Sequence, residues 1–263
     1  MILVVLAVIA GDFMGRMSAG AARAGMGGAV VWMLGWAWLV HRPAVAVEMI
    51  PVGILSRVEG FGGVPAFMFM LGVAWARSRL NRQRMLVAWS AAFGAVYFVN
   101  GGIWLLQDTP TAVMGHSAYD SVVLQSQDYS CVPASCATAL NMLGVPSTEA
   151  QMAEYTDTRP DTGATVIRAL QGLEERLSRS ELQPRLREVA VEDAPGLLLP
   201  ALAPLQYERN RRHMIVVVGF VPTGVWVMDP MSGLLELSWE HFNEHFCGQA
   251  IVFEGPRSSG QFR

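Results

Sequence analysis

Lysine is absent from this chain of 263 residues, and all 19 of its basic residues are arginine. With 22 acidic residues the formal net charge is −3. Such a balance offers no basic surface for holding nucleic acid by phosphate neutralisation. Charge of either sign is scarce, at 16% of residues, against 52% hydrophobic and a mean hydropathy of +0.33. That is too apolar for an average soluble domain, and the surplus lies in residues 1–106. Cysteine occurs only as Cys131, Cys136 and Cys247, with no CxxC pair, which excludes a disulfide framework. One of the three can be catalytic while the other two pair or stay buried. No GxxxxGK[ST] segment occurs, so no P-loop nucleotide site is expected. Internal repeats and low-complexity tracts are absent as well.

The apolar half is read as a membrane region of about four helices, approximately 1–15, 22–40, 58–76 and 85–106. Residues 22–40 and 85–106 are long enough to cross hydrocarbon at about 1.5 Å per residue. Residues 44–56 are apolar but carry Glu48 and Pro51, which suits an interfacial or re-entrant piece. A cleaved signal is the competing reading of the N-terminus, but no basic segment precedes the first apolar run. The loop RSRLNRQR, with Arg77, Arg79, Arg82 and Arg84, is the strongest basic cluster and is expected in the cytoplasm. Everything after Leu106 then falls on the non-cytoplasmic side.

Residues 107–120 read as a polar tether, 121–255 as an α+β domain, and 256–263 as a flexible tail. Cys131–Leu143 reads as a helix, with Pro133 in its first turn and Gly144 as its stop. Thr148 and Gln151 fit a capping box ahead of a second helix, and a third runs from about Thr165 to Leu177. Strand signals follow at Leu186–Val191, Gly196–Leu202, Met214–Phe220, Val225–Met228, Leu234–Leu237 and Ala250–Phe253, with a hairpin turn at Pro222-Thr223-Gly224. Helices first and antiparallel strands after define an α+β layout.

Four residues carry the chemistry. Gln125 stands six residues before Cys131; His213 follows Cys131 by 82 and Asp229 by 98. A thiolate is the nucleophilic form of cysteine, and a helix N-terminus favours it. His213 is expected to pair with Cys131 and protonate a leaving amine. Asp229 is expected to hold the imidazole tautomer. Gln125 and the Cys131 N–H are expected to stabilise an oxyanion, where losing one donor typically costs about 3 kcal/mol.

The segment LQSQDYSCVPASCATALNMLG, then HMIVVVGF and WVMDP, resembles the bacteriocin-processing, double-glycine cysteine peptidases of family C39. LSWEHFNEHFCGQAIVF resembles the closing segment of that domain, so the resemblance covers about residues 120–254. It implies a papain-like fold, a peptide or small protein substrate cut after small residues, and Cys131, His213, Asp229 and Gln125 as the site. With no ATP-binding segment of its own, the chain is expected either to partner a separate ABC transporter or export partner or to act as a standalone processing enzyme, beside the bilayer of a bacterial inner membrane. No cofactor or metal is expected. A triad-dependent acyl or peptidyl transferase, or a non-catalytic peptide-binding module of an export system, are the alternatives. A small transporter or sensor is disfavoured, because Asp12 is nearly the sole intramembrane charge. Val132 stands where the family usually has glycine, and Gln127 is a second amide at an offset that does not match the motif.

His241 and His245 stand four apart ahead of Cys247. This spacing suits a metal-binding helix face, but the Glu that follows the first His of a metalloprotease helix is missing. A surface helix is the expected reading. Cys136 lies off the helical face of Cys131 and is expected in the core. Residues 209–212 (RNRR) read as a solvated loop before the His strand.

Overall fold

A computed structural model describes residues 2–102, 122–160, 162–208 and 211–255. The expected tether at 107–120 and tail at 256–263 lie outside the described residues. The chain divides into two compact units, residues 1–46 with 57–108, and residues 47–56 with 109–263.

The first half is helical throughout: α1 (Ile2–Arg16), α2 (Ala19–Val40), α3 (Pro43–Met49), α4 (Val52–Val58), α5 (Val64–Arg77) and α6 (Asn81–Gly102). Glycine sets the closest approach. A Cβ on Gly11 would meet Phe69 O at 2.1 Å, and one on Gly72 would meet Val8 O at 2.3 Å. Gly11 and Gly15 are four apart on α1, so their shared face lets the α5 backbone come close. The outer faces are apolar, with Val31 71%, Trp89 70% and Phe93 77% exposed.

Two expectations for this half need correction, the span at 58–76 and the RSRLNRQR loop. Among the described residues no single helix is long and apolar enough to cross a membrane. The span expected at 58–76 begins only at Val64, because residues 59–63 form turns, and the resulting 14-residue helix α5 is about 21 Å long. A bent pair, α2 with α3, passes the same test, with a 113° turn between them. The RSRLNRQR segment is not all loop. Gln83 Oε1 accepts the N–H groups of Arg79 (3.2 Å) and Leu80 (3.4 Å), so Arg82 and Arg84 lie in the first turn of α6. Residues 44–56 form two short helices, broken at Ile50-Pro51, where proline disfavours helical geometry in the residue before it.

The second half follows the order helices, then antiparallel sheet: α7 (Cys131–Met142), α8 (Glu149–Tyr155), α9 (Val166–Arg176), β1 (Gln183–Glu188), a 3-10 turn (Val191–Gly196), β2 (Ala201–Glu208), β3 (Arg211–Val221), β4 (Gly224–Asp229), β5 (Gly233–Ser238), α10 (Trp239–His245) and β6 (Gln249–Glu254). Local chemistry explains the helix ends. Val145 N donates to Leu140 O at 2.9 Å and Gly144 N to Asn141 O at 3.1 Å, with Gly144 at φ +76. This is a Schellman stop, which needs the left-handed conformation glycine adopts freely. Thr148 and Gln151 form the reciprocal capping box on α8.

The sheet runs β1-β6-β2-β3-β4-β5 and is antiparallel throughout. The hairpin turn is at Pro222-Thr223, between Val221 and Gly224. The apolar run expected as a strand at Gly196–Leu202 is corrected: β2 starts at Ala201 and continues through Pro204 to Glu208. Pro195, Gly196 and Pro200 interrupt the earlier part. Phe242 of α10 is fully buried against Leu205, Ile215, Val225 and Val227. Burial of such a ring is worth about 1.5–3 kcal/mol. Residues 131–140 of α7 are buried except Cys131, which is partly exposed at its start.

Candidate active site

Hydrogen bonds outside the sheet tie the candidate-site segments together. Ser135 Oγ on α7 donates to Met214 O at 2.8 Å, beside His213. Thr138 Oγ1 accepts from Val123 N at 2.9 Å, fixing the strand-like lead-in to Gln125. Gln125 N donates to Pro230 O at 2.8 Å, next to Asp229. Ahead of Cys131, Gln127 O receives Gln125 Nε2 at 2.8 Å, Ser130 Oγ at 2.9 Å and Ser130 N at 3.1 Å. That tight turn delivers Cys131 as the first residue of α7.

His213 and Asp229 meet directly: His213 Nε2 and Asp229 Oδ2 are 2.8 Å apart. A carboxylate only accepts, so Nε2 carries the hydrogen. Asp229 Oδ1 accepts from Met231 N (2.6 Å) and Ser232 N (3.0 Å), which fixes the carboxylate plane. Burial works against the Asp229 anion, but the His213 hydrogen bond and charge and the two N–H groups hold its carboxyl below the usual range. Burial likewise disfavours the His213 cation. Hydrogen bonds to Asp229 and Cys131, with the charges of both, nevertheless raise it to about 9. Cys131 and His213 line the same cleft, and with Nε2 turned to Asp229, Nδ1 is the ring nitrogen left for the thiol.

A cleft of about 450 Å³ lies over this pair, lined by Cys131, Val132, His213, Met214, Tyr129, Asp128, Arg212 and residues 162–166. Gly163, at φ +66, approaches Tyr129 so closely that a Cβ would sit 3.1 Å from Tyr129 O. Val132 is 4% exposed and forms part of the cleft wall.

The fourth expected residue is placed differently. Gln125 is not among the residues lining the cleft. Its Nε2 donates to Gln127 O, and its buried Oε1 has no partner among the described residues. An amide nitrogen has two hydrogens, so one remains for an oxyanion. Cys136 is fully buried, as its helical offset implied, and burial with the Cys131 charge beside it pushes its thiol far up. Cys247 is also shifted up by burial, which the Arg212 charge offsets in part. All three cysteines are free. Among the described residues no three metal-ligating side chains gather; His241 and His245 instead pack their rings at 4.5 Å.

Sequence reasoning missed Ser135, the Met231 and Ser232 amides, the 162–166 wall and Tyr207, whose ring centroid is 6.1 Å from that of His213. The Asp-Pro turn was the only local signal for any of these. The others depend on strand register.

A thiol at a helix start, facing an imidazole bonded to a carboxylate on the neighbouring strand, defines the class of papain-like cysteine hydrolases. The model of the peptidase C39 family matches residues 120–258. That is more than half of the chain, which belongs to the peptidase C39 family and is a cysteine peptidase. An uncharacterised protein of Methanothermobacter thermautotrophicus is 32% identical over 150 residues, covering 55% of this chain and 96% of that protein. Another, from Methanothermobacter marburgensis, is 29% identical over 133 residues, covering 51% and 87%. Among solved structures, a double glycine motif protease from an AMS/PCAT transporter in complex with the leader peptide is 19% identical. It covers 57% of this chain and 100% of its own, with a TM-score of 0.46. The peptidase domain of Streptococcus ComA is 19% identical, covering 55% and 99%, with a TM-score of 0.43.

Proposed function

We propose that Cys131, His213, Asp229 and Gln125 cleave a peptide bond in a peptide or small protein presented at a membrane. The observation that carries this reading is the 2.8 Å His213–Asp229 bond, with His213 and Cys131 lining one cleft. The Cys131 sulfur attacks the carbonyl carbon. The Cys131 N–H and the second hydrogen of Gln125 Nε2 receive the oxyanion. As the C–N bond breaks, His213 gives its Nδ1 proton to the leaving amine. It then takes a proton from the water that hydrolyses the thioester, and Cys131 is restored.

The close walls at Val132, Tyr129 and Gly163 support small residues before the cut, in keeping with leader processing. The exposed apolar faces of α1, α2 and α6 and the bent α2–α3 pair support anchoring in a bilayer. The arginine cluster at 77–84 supports a peptidase domain on the non-cytoplasmic side. A separate transporter is the partner this reading calls for.

One experiment tests these parts separately. Intact cells carrying the chain receive a membrane-impermeant peptidyl electrophile ending in small residues, and the labelled site is mapped by mass spectrometry. Label on Cys131, in the membrane fraction, is expected. Label on Cys136 or Cys247 instead contradicts the nucleophile. Label only after permeabilisation contradicts the sidedness, and labelled protein in the soluble fraction contradicts anchoring.

A further inference from the structure

Tyr207 occupies a β-bulge. The β2–β3 register shifts between Gln206 and Glu208, so Tyr207 is the extra residue on its strand. Bulges re-aim side chains, often beside active sites. Here the ring lies next to His213, at 6.1 Å between centroids. The ring also packs against α10, with His245 at 4.7 Å and His241 at 5.6 Å between centroids. His245 is fixed in turn, since its Nδ1 lies 3.0 Å from Gln206 O, the residue just before the bulge. A carbonyl accepts only, so Nδ1–H donates there. Tyr207 also senses Asp229: burial first, and then the Asp229 charge, push its phenol up.

We infer that Tyr207, seated on His245, is a positioning residue that covers the His213–Asp229 hydrogen bond and keeps water from competing for it. The inference rests on the reading of His213 as the catalytic acid and base. The groups facing His213 are Cys131 from α7, Asp229 from β4 and Tyr207 from β2, while His241 and His245 face Tyr207 from α10. An imidazole stripped of its cover exchanges the Nε2 proton with solvent and samples rotations that misalign Nδ1. A misplacement of that kind costs about tenfold or more in turnover.

The test uses the full chain with 15N-labelled histidine. In Tyr207→Ala the His213 Nε2 proton is expected to exchange with water about tenfold faster or more. The same variant is expected to lose about tenfold in kcat, with KM within about twofold. Tyr207→Phe, which keeps the ring, restores slow exchange and most of the turnover. His245→Gln, which removes the supporting ring, gives an intermediate exchange rate. Unchanged exchange in Tyr207→Ala overturns the inference, as does a loss confined to KM. Exchange does not depend on turnover. Fast exchange in Tyr207→Ala together with full activity in His213→Ala therefore upholds the cover and defeats the reading of the site.

Discussion

Replacing Cys131 by alanine is expected to lower kcat/KM for peptide hydrolysis by about 10⁴-fold or more. In the proposed mechanism the sulfur forms the covalent intermediate, and neither of the other two thiols is placed to substitute. Cys136 is fully buried, with burial holding it in the neutral form. Cys247 is also shifted away from the thiolate by burial. Alanine is a strong helix former, and Cys131 is only partly buried, so α7 keeps its position. The helix remains tied to β3 through Ser135 and Met214. Steady-state hydrolysis of a fluorogenic peptide, with circular dichroism as the folding check, measures this. A loss below tenfold with the fold intact contradicts the assignment.

Asp229→Asn is expected to lower kcat by about 10³–10⁴-fold while leaving the fold in place. The asparagine Oδ1 can still accept from Met231 and Ser232. Its NH₂ then faces His213 as a donor, so Nε2 must become the acceptor and the proton moves to Nδ1 in the neutral ring. That is the wrong tautomer for taking a proton there. The pH profile changes as well. His213 is raised to about 9, so its pairing contributes fully below its ordinary value of 6.5 and is lost as pH rises through 9. Asp229 is lowered, so its share is present above its ordinary 3.8 and is lost as pH falls through the lowered value. Activity of the wild type is therefore expected to fall near pH 9, and that fall moves toward neutral pH in Asp229→Asn. A variant whose alkaline fall stays near 9 contradicts the role of the carboxylate.

What the sequence made legible was local. Thr148-x-x-Gln151, Gly144 and Pro222-Thr223 each determine a cap, a stop or a turn within a few residues, and the structure places all three as expected. The helix start at Cys131 and the strand through His213 were readable for the same reason. What depends on pairing was not. Pro204 argues against a strand interior, yet it lies in β2 opposite Met214. β6, last in sequence, sits between β1 and β2, and no local pattern encodes that position. Tyr207 meets His213 only through a bulge, and Ser135 meets Met214 across 79 residues. In the first half, hydropathy marked apolar runs but not where backbone geometry divides them. Pro51 divides the interfacial piece into two helices, and the turns at 59–63 shorten the span expected at 58–76.

The account rests on Cys131, His213 and Asp229 acting as one catalytic unit on a peptide bond. A cycle of His213→Ala, Asp229→Asn and the double variant, assayed for kcat/KM on one peptide, measures this most directly. Asp229 works only through the imidazole, so the double variant is predicted to lose no more than His213→Ala alone. Losses that multiply in the double variant would contradict it.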